Sequence, residues 1–510
     1  MNRSLKFIYS NKIFAFVMLI IQILIIVFGY KWLNEYSKYL FSLTSVLGAV
    51  LIIIEINRDE DPMFKLTWCI LIATFPVFGG LMYVYLHTDF MRRDIAKAQE
   101  RSHKEIIGYM NSGGYGIKET GEFDGGERGF IKYLTENGGS PAYKNTSVKY
   151  YPLGDEMFKE ILEELETAEK FIFLEFFIIN QSGRFWPEIL SVLKRKVKDG
   201  VDVRMMFDGM GCLSTLPKKY TETMEKFGIK CKIFSPVQPL ISTYQNNRDH
   251  RKILVIDGKT AFTGGINLAD EYANFISRFG HWKDTGIKLK GEAVSGFTAL
   301  FFEMWNMSEL CENTAEFIAE SREYPQQSDG IVIPYGDSPN DREYVGKRVY
   351  IYLMNRAERY CHIMTPYLVI DNETFEALKF AAQRGVDVKI MMPHIPDKKM
   401  AFRLARTYYP ELIRAGIKIY EYTPGFVHAK TIVSDDVRAV VGTINFDFRS
   451  LYLHYECAAY MYNAPAVLDI EDDYKKTLEK CELITLDTYK KLPFFQKLIG
   501  RVLKLIAPLI

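Results

Sequence analysis

The sequence is short of several features that mark common protein classes. Its seven cysteines are scattered and no Cys-x-x-Cys occurs, which argues against a zinc site or a disulfide framework and fits a reducing compartment. Neither sign of charge is in excess, because 64 basic and 63 acidic residues leave a formal net charge of +1. The chain therefore has no overall electrostatic footprint for nucleic acid, and we predict no nucleic-acid partner.

A glycine-rich stretch at 113–129 lacks the elements of a phosphate-binding loop. No Gly-Lys-Ser/Thr sequence ends it, and it does not lie between a strand and a helix. We interpret it as a linker or hairpin at the boundary of the soluble body.

Apolar residues are concentrated near the N-terminus. Three runs there are about as long as the 17–25 residues that a membrane-spanning helix needs. A signal peptide is the alternative for the first run, but two more runs follow at once and no small-x-small cleavage site stands after it. We predict one transmembrane helix at about 13–32, within an N-terminal segment 1–38. Two more are predicted at about 40–56 and 66–86, within a second segment 39–88. The basic cluster at 92–104 favours a multi-pass protein with a cytoplasmic body.

The most informative pattern is a motif that occurs twice. Each copy reads His-x-Lys-x4-Asp, with a glycine 14 residues and an asparagine 17 residues after the histidine. Ordinary half-buried strands account for one such copy, but not for two that agree at five positions. The matching residues are His250, Lys252, Asp257, Gly264 and Asn267, and His428, Lys430, Asp435, Gly442 and Asn445.

The spacing within the motif separates two kinds of residue. Positions i and i+2 of a strand share a face, so we predict that the histidine and lysine of each copy point the same way. The aspartate has the opposite parity. The candidate catalytic set is His250, Lys252, Asp257, His428, Lys430 and Asp435, in which we expect the two aspartates to be supports.

The sequence around the motifs is duplicated as well. A strand, a helix and a second strand recur in each half, and the predicted elements are 171–179, 187–198 and 201–207, then 363–370, 375–384 and 386–392. The offset between the halves falls from 185 to 178 residues at the histidines, which places an insertion near 237–247. The pattern predicts an α/β protein with two tandem mixed-sheet halves, 113–315 and 325–490, related by a pseudo-two-fold axis. Such an axis brings both histidines to one shared cleft.

The two motifs resemble those of the phospholipase D superfamily, and the surrounding sequence resembles the bacterial cardiolipin synthase family. The likeness covers essentially the whole chain and is carried by segments 247–252, 264–272, 281–284, 424–430 and 442–450. The sequence departs from the family pattern at two places. Ser434 stands where the strand is usually apolar, and there are three N-terminal apolar runs where two are more usual.

The resemblance implies a phosphatidyltransferase in a bacterial cell membrane. Two phosphatidylglycerols would give cardiolipin and glycerol through a phosphohistidine intermediate. His250 is implied as the nucleophile and His428 as the acid and base, although the residues alone do not decide between the two. Two carboxylates, Asp284 and Glu456, are implied to hold the opposite histidine. The two lysines with Asn267 and Asn445 offer four donors to phosphate oxygens.

The expected ligands are phosphatidylglycerol and membrane lipid. We expect no cofactor and see no set of metal ligands, and no protein partner is indicated. The tail 491–510, basic and amphipathic, is predicted to lie at the membrane interface. A helix docked on the body is the alternative.

Three other functions stay open. The chain could be a hydrolase, or a transferase that uses another phospholipid or alcohol, such as phosphatidylethanolamine. A nuclease of the superfamily is disfavoured by the charge balance and the apolar runs. A non-enzymatic lipid-binding scaffold is disfavoured because both His-Lys pairs are intact.

Overall fold

The computed structural model describes residues 36–87, 90–117, 121, 123–236, 246–308, 310–311 and 313–509. The chain divides into an N-terminal unit, made of 1–94, 237–246 and 502–510, and an α/β unit, made of 95–236 and 247–501. All of the candidate catalytic residues belong to the α/β unit. The predicted insertion near 237–247 lies almost wholly outside the described residues.

The α-helices of the described part are α1 (Tyr36–Ile56), α2 (Pro62–Thr74), α3 (Pro76–His87), α4 (Phe90–Gly113), α5 (Gly125–Glu136), α6 (Gly154–Glu166), α7 (Phe185–Lys198), α8 (Tyr220–Glu225), α9 (Val294–Trp305), α10 (Thr314–Ala319), α11 (Val345–Arg356), α12 (Asn372–Gln383), α13 (Lys399–Ala405), α14 (Tyr409–Arg414), α15 (Phe448–Tyr452), α16 (Ala466–Leu478), α17 (Leu486–Lys490) and α18 (Phe494–Leu503).

The strands are β1 (Thr146–Tyr151), β2 (Phe171–Phe176), β3 (Asp202–Asp208), β4 (Lys230–Phe234), β5 (Lys252–Ile256), β6 (Thr260–Gly264), β7 (His281–Lys283), β8 (Gly286–Gly291), β9 (Ile331–Asp337), β10 (Tyr360–Met364), β11 (Leu368–Val369), β12 (Asp387–Pro393), β13 (Lys418–Tyr422), β14 (Gly425–Val427), β15 (Thr431–Ser434), β16 (Arg438–Gly442), β17 (Phe446–Asp447), β18 (Glu456–Tyr462) and β19 (Cys481–Ile484). Short 3-10 helices cover Asp270–Ala273, Glu320–Glu323 and Lys504–Leu509.

Two of the predicted transmembrane helices fall in the described part of the N-terminal unit. The run 40–56 lies within α1, whereas the run 66–86 is divided between α2 and α3. The division falls at Pro76, because proline has no N–H to continue the helical hydrogen bonds and its ring clashes with the preceding turn. In the described part of the chain no helix combines the length and the apolar character needed to cross a membrane. The run predicted at 13–32 lies outside that part.

The α/β unit contains two large sheets with the same strand order. The first runs β1-β8-β6-β5-β2-β3-β4, and the second runs β9-β18-β16-β15-β10-β12-β13, with β19 added beyond β13. In each sheet three neighbouring strands are parallel, β2-β3-β4 and β10-β12-β13, and the rest are antiparallel. The tandem mixed-sheet fold is therefore confirmed. The predicted elements agree within a few residues, except that 363–370 is divided into β10 and β11.

A shared core joins the two halves. Nearly every residue of α9 is buried, and this helix contacts β2 and β5 of the first sheet and β9 of the second. Phe301 of α9 stacks on Phe173 of β2 with ring centroids 4.9 Å apart. Thr263 of β6 and Cys457 of β18 also meet across the halves, with Oγ1 and Sγ 3.6 Å apart. These contacts fix the two histidine motifs relative to each other.

Short backbone contacts also cross between the halves beside the motifs. Strand β14, which precedes His428, runs parallel to β7, and the backbone N–H of His428 donates to the carbonyl of Lys283 at 2.7 Å. The backbone N–H of His250 likewise donates to the carbonyl of Tyr455 at 2.9 Å. Each histidine is thus held by backbone of the opposite half.

Candidate active site

The motif spacing predicts that both histidines lie within strands. The structure places them outside the strands instead. Strand β5 begins at Lys252 and β15 at Thr431, so both histidines occupy the segments that lead into these strands. The reason is the backbone contact with the opposite half, which replaces the ladder hydrogen bonds at this point. Both imidazoles are about nine-tenths buried.

His250 is held by a carboxylate of the second half. Nδ1 of His250 lies 2.9 Å from both Oε1 and Oε2 of Glu456. The carboxylate is fully buried and also accepts a hydrogen bond from the hydroxyl of Thr443. A proton on Nδ1 is therefore bound by Glu456, which leaves Nε2 with its lone pair.

His428 is held in the same way by a carboxylate of the first half. Its Nδ1 lies 2.6 Å from Oδ2 of Asp284, and the other oxygen, Oδ1, accepts from the backbone N–H of Thr285 at 2.9 Å. Gly265 makes room for this arrangement, since a Cβ at that position would lie 2.0 Å from Oδ1 of Asp284. The structure thus brings each predicted carboxylate to the histidine of the other half.

The two motif lysines are buried beside the histidines. Nζ of Lys252 donates to the carbonyl of His250 at 2.6 Å, and Nζ of Lys430 donates to the carbonyl of His428. Nζ of Lys430 also lies 2.9 Å from Nδ1 of His428. Each ammonium retains further N–H groups for a ligand in the cleft.

The two asparagines differ. The side chain of Asn267 has both ends occupied, because Oδ1 accepts from the backbone N–H of Ile178 at 3.0 Å and Nδ2 donates to the hydroxyl of Tyr272 at 2.9 Å. Oδ1 of Asn445 is buried with no hydrogen-bond partner among the described residues. The motif symmetry therefore does not extend to the hydrogen bonds of its asparagines.

The motif aspartates lie apart from the two imidazoles and bind backbone N–H groups. Asp257 accepts from the backbone N–H groups of Glu169, Lys170 and Phe171, each at 2.8 Å. It follows the end of β5 that is far from His250, and a five-residue strand spans roughly 16 Å. The aspartate stabilises the start of β2.

Asp435 repeats this arrangement in the second half. Its carboxylate accepts from the backbone N–H groups of Glu358 and Arg359 at 2.8 Å and of Tyr360 at 2.9 Å. Both aspartates have positive φ, 51° and 59°, a conformation that aspartate tolerates better than most residues. The sequence analysis expected both aspartates to be supports, but the residues whose N–H groups they bind could not be foreseen.

Burial and the two motif lysines disfavour further positive charge in the cleft. Burial, reinforced by Lys252 and Lys430, holds the pKa of His250 well below its usual value. Burial and Lys430 lower the pKa of His428 to about 4, although Asp284 opposes this shift. Burial also lowers the pKa of Lys252 to about 8 and that of Lys430 to about 7. Lys252 and Lys430, which contribute to the shifts of both histidines, would attract a bound anion.

Sequence reasoning missed the aromatic walls of the cleft. The ring of Phe177 lies against His250 with centroids 5.0 Å apart, while Tyr272 and Trp282 lie 5.3 and 5.4 Å from His428. Tyr272 and Trp282 belong to segments 264–272 and 281–284, which carry the family resemblance, so the sequence did point to these two residues. Phe177 follows a buried apolar strand and nothing in its local sequence distinguishes it.

The sequence shows no set of metal ligands, whereas the fold brings three side chains with suitable ligand atoms together. Within the described ranges, the ligand atoms of His250, His454 and Glu456 lie within 4.8 Å of one another. Sequence alone could not identify this group, because the first histidine comes from the other half of the chain.

Comparison with known proteins agrees with this geometry. The family described as "Cardiolipin synthase, PLD-like domain" matches residues 161–296 and 350–478. The chain belongs to this family. Cardiolipin synthases of Alkalihalophilus pseudofirmus and Halalkalibacterium halodurans are 33% and 30% identical to it, over 98% and 95% of this chain and 99% and 95% of their own.

Other similar proteins extend the comparison. An uncharacterized protein of Streptococcus mutans is 49% identical over 91% of this chain and 100% of its own length. The crystal structure of a phosphatidylserine synthase from Haemophilus influenzae matches with a TM-score of 0.56 and 17% identity, over 75% of this chain and all of that one, and so shares the fold. Membership confirms that the chain is a phosphatidyltransferase of the phospholipase D superfamily.

Proposed function

We propose that the protein is a cardiolipin synthase that uses two phosphatidylglycerols. It transfers the phosphatidyl group of one to a glycerol hydroxyl of the other and releases glycerol. The observation that carries this proposal is the pair of crossed contacts, His250 with Glu456 and His428 with Asp284, at one cleft with two buried lysines. The 33% identity with a cardiolipin synthase supports the choice of substrate.

In the first step Nε2 of His250 attacks phosphorus. A nitrogen–phosphorus bond forms, the bond from phosphorus to the glycerol oxygen breaks, and His428 gives its Nε2 proton to the leaving oxygen. Lys252 and Lys430 donate to the non-bridging oxygens as charge develops there. The product of this step is a phosphatidyl-histidine and free glycerol.

The second step reverses these roles. Neutral His428 takes the proton of a glycerol hydroxyl on the second phosphatidylglycerol, and the oxygen attacks the phosphohistidine. The oxygen–phosphorus bond forms as the nitrogen–phosphorus bond breaks, which restores His250 and yields cardiolipin. Water in place of the second lipid would give phosphatidic acid, so the cleft must favour lipid over water.

The surroundings of the histidines support His250 as the nucleophile. Burial and the two lysines lower its pKa strongly, which keeps it neutral. The pKa of His428 is also lowered, to about 4, but Asp284 raises it through both charge and a hydrogen bond. An anionic phosphate beside His428 would add to that effect, so His428 is better suited to carry the proton.

We also propose that the enzyme works at a membrane surface. Large apolar side chains are exposed on α1, where Val46 and Ile53 are each 61% exposed, and on α18, where Phe494 and Phe495 are 68% and 73% exposed. Exposed apolar groups of this size favour contact with lipid. Flotation of the full chain with phosphatidylglycerol vesicles tests this, and protein that stays at the bottom of the gradient contradicts it.

The decisive experiment gives the purified protein only phosphatidylglycerol, in mixed micelles with a chelator. We expect equimolar cardiolipin and glycerol, with His250→Ala and His428→Ala both inactive. Phosphatidic acid without cardiolipin would make the enzyme a hydrolase. Activity that appears only after phosphatidylethanolamine is added would assign a different second substrate.

A further inference from the structure

A buried histidine, His454, lies beside the active site. His454 precedes Glu456 by two residues, its side chain is 10% exposed, and both ring nitrogens lack a partner among the described residues. Its Nδ1 lies 3.7 Å from Oε1 of Glu456, too far for a hydrogen bond. Buried polar atoms without partners are rare, and an ion or a water that binds them is one common explanation.

The pseudo-symmetry of the site shows what is unusual about this histidine. Trp282 precedes Asp284 by two residues, just as His454 precedes Glu456. The rings of Trp282 and His428 are 5.4 Å apart at 45°, and those of His454 and His250 are 5.5 Å apart at 44°. The two rings therefore occupy equivalent positions beside the two catalytic imidazoles.

The chemistry of the two rings differs in one respect. An indole nitrogen only donates, and Nε1 of Trp282 lies 3.5 Å from Oδ2 of Asp284. An imidazole has a nitrogen lone pair that can bind a metal ion. Only the His250 side of the cleft therefore presents two imidazoles and a carboxylate to one point.

These three side chains form a ligand set that suits zinc. Their ligand atoms lie within 4.8 Å of one another, and two histidines with one glutamate bind Zn²⁺ in known enzymes with the fourth position open. We propose that His250, His454 and Glu456 form an inhibitory Zn²⁺ site. The inhibition rests on the proposed function, whereas the binding does not.

The inhibition follows from the nitrogen that the metal would take. In the described structure Nδ1 of His250 faces Glu456, so a metal held by that carboxylate binds Nδ1 and the proton moves to Nε2. The lone pair that attacks phosphorus is then lost. Lys252 and Lys430 repel a cation while Glu456 and Asp284 attract it, so we expect affinity below that of a structural zinc site.

The test compares three full-length proteins freed of metal with a chelator. They are the natural protein, His454→Gln, and Trp282→His, which places a second His-His-carboxylate group around His428. Zinc chloride is titrated by calorimetry, and Co²⁺ spectra report the ligand geometry without any need for activity. Cardiolipin formation is measured in parallel.

We expect the natural protein to bind one Zn²⁺ and to lose activity in a way that a chelator reverses. His454→Gln should keep its basal activity and need at least about tenfold more Zn²⁺ for both effects. Trp282→His should bind a second ion. Equal zinc affinity of the natural protein and His454→Gln, or no binding by either, overturns the proposal.

Failure of the zinc site can be distinguished from failure of the proposed function and from misfolding of a variant. If His454→Gln does not fold, as judged by circular dichroism, His454→Trp replaces it, because the indole already fits the equivalent position at 282. Zinc binding that depends on His454, by a protein that makes no cardiolipin, would reject the proposed function and retain the site. Cardiolipin synthesis with no zinc binding would reject the site alone.

Discussion

Asp284 and His428 are 144 residues apart in the sequence, yet Oδ2 of the first lies 2.6 Å from Nδ1 of the second. Glu456 and His250 form the reciprocal contact at 2.9 Å. Because each pair takes one member from each half, neither half has a working imidazole by itself. The active site is therefore complete only when both halves of the duplicated fold are present.

The first prediction concerns these carboxylates. Asp284→Asn and Glu456→Gln keep the shape of each side chain but remove the charge that orients and stabilises the imidazole. We expect each variant to lower kcat by about 10²-fold or more, with a small change in KM, because general acid–base catalysis contributes about 10²–10⁴-fold. Initial rates of cardiolipin formation over a range of phosphatidylglycerol concentrations measure both constants.

Asp473 provides the matched control for these substitutions. It is an acid that binds Nζ of Lys283, at 2.7 Å, rather than a histidine. Asp473→Asn is expected to leave kcat within a few-fold of the natural value. Normal kcat in Asp284→Asn or Glu456→Gln would remove the crossed pairs from the mechanism.

The second prediction separates the motif aspartates from the motif histidines. Asp257→Ala leaves three backbone N–H groups without their partner, at a cost of about 1–3 kcal/mol for each donor that stays buried. We expect a lower melting temperature and less folded protein, but an almost unchanged kcat per folded molecule. Thermal unfolding together with active-site titration distinguishes the two effects. A stable but inactive variant would return Asp257 to the catalytic set.

The motif aspartates and histidines show which features of the site can be predicted from the sequence. The spacing of His250, Lys252 and Asp257 separated reacting groups from supports, although His250 and Asp257 lie just outside β5 and not within one strand. The three N–H groups that Asp257 binds belong to residues 169–171, which are distant in the sequence. Only the fold brings them together.

Other features were beyond sequence reasoning for the same physical reason. The crossed carboxylates were inferred from a resemblance, not from spacing, since Glu456 and His250 meet only through the packing of two sheets. The hydrogen bond from the backbone of Ile178 to Asn267, which was predicted to bind phosphate, likewise joins residues 89 positions apart. The apolar run 66–86 was predicted as one helix, but two helices cover it, and the second begins at Pro76.

The third prediction concerns pH. Burial lowers the pKa of Lys430 to about 7, so its ammonium loses a proton as the pH rises through neutrality, and one donor to the phosphate loses its charge. We expect kcat/KM, which reports the free enzyme, to fall as the pH rises above about 7. Lys430→Arg keeps the charge at all of these values, because the guanidinium stays protonated. Its alkaline limb should therefore move to higher pH even if its maximum rate is lower.

The control for this profile is a lysine outside the cleft. Lys389 ion-pairs with Asp387 at 2.8 Å, and Lys389→Arg should reproduce the natural pH profile. An alkaline limb that is the same in Lys430→Arg and the natural protein would assign it to another group.

The last prediction tests whether the position of one carboxylate controls the rate. A Cβ at residue 265 would lie 2.0 Å from Oδ1 of Asp284, so Gly265→Ala must push that carboxylate away from His428. We expect kcat to fall towards the value of Asp284→Asn, with a smaller loss in melting temperature than Asp257→Ala. Gly129→Ala, where a Cβ meets nothing within 4 Å, serves as the neutral control. If Gly265→Ala loses stability but keeps kcat, the side chain of Asp284 adjusts without cost, and its 2.6 Å contact with His428 does not limit the reaction.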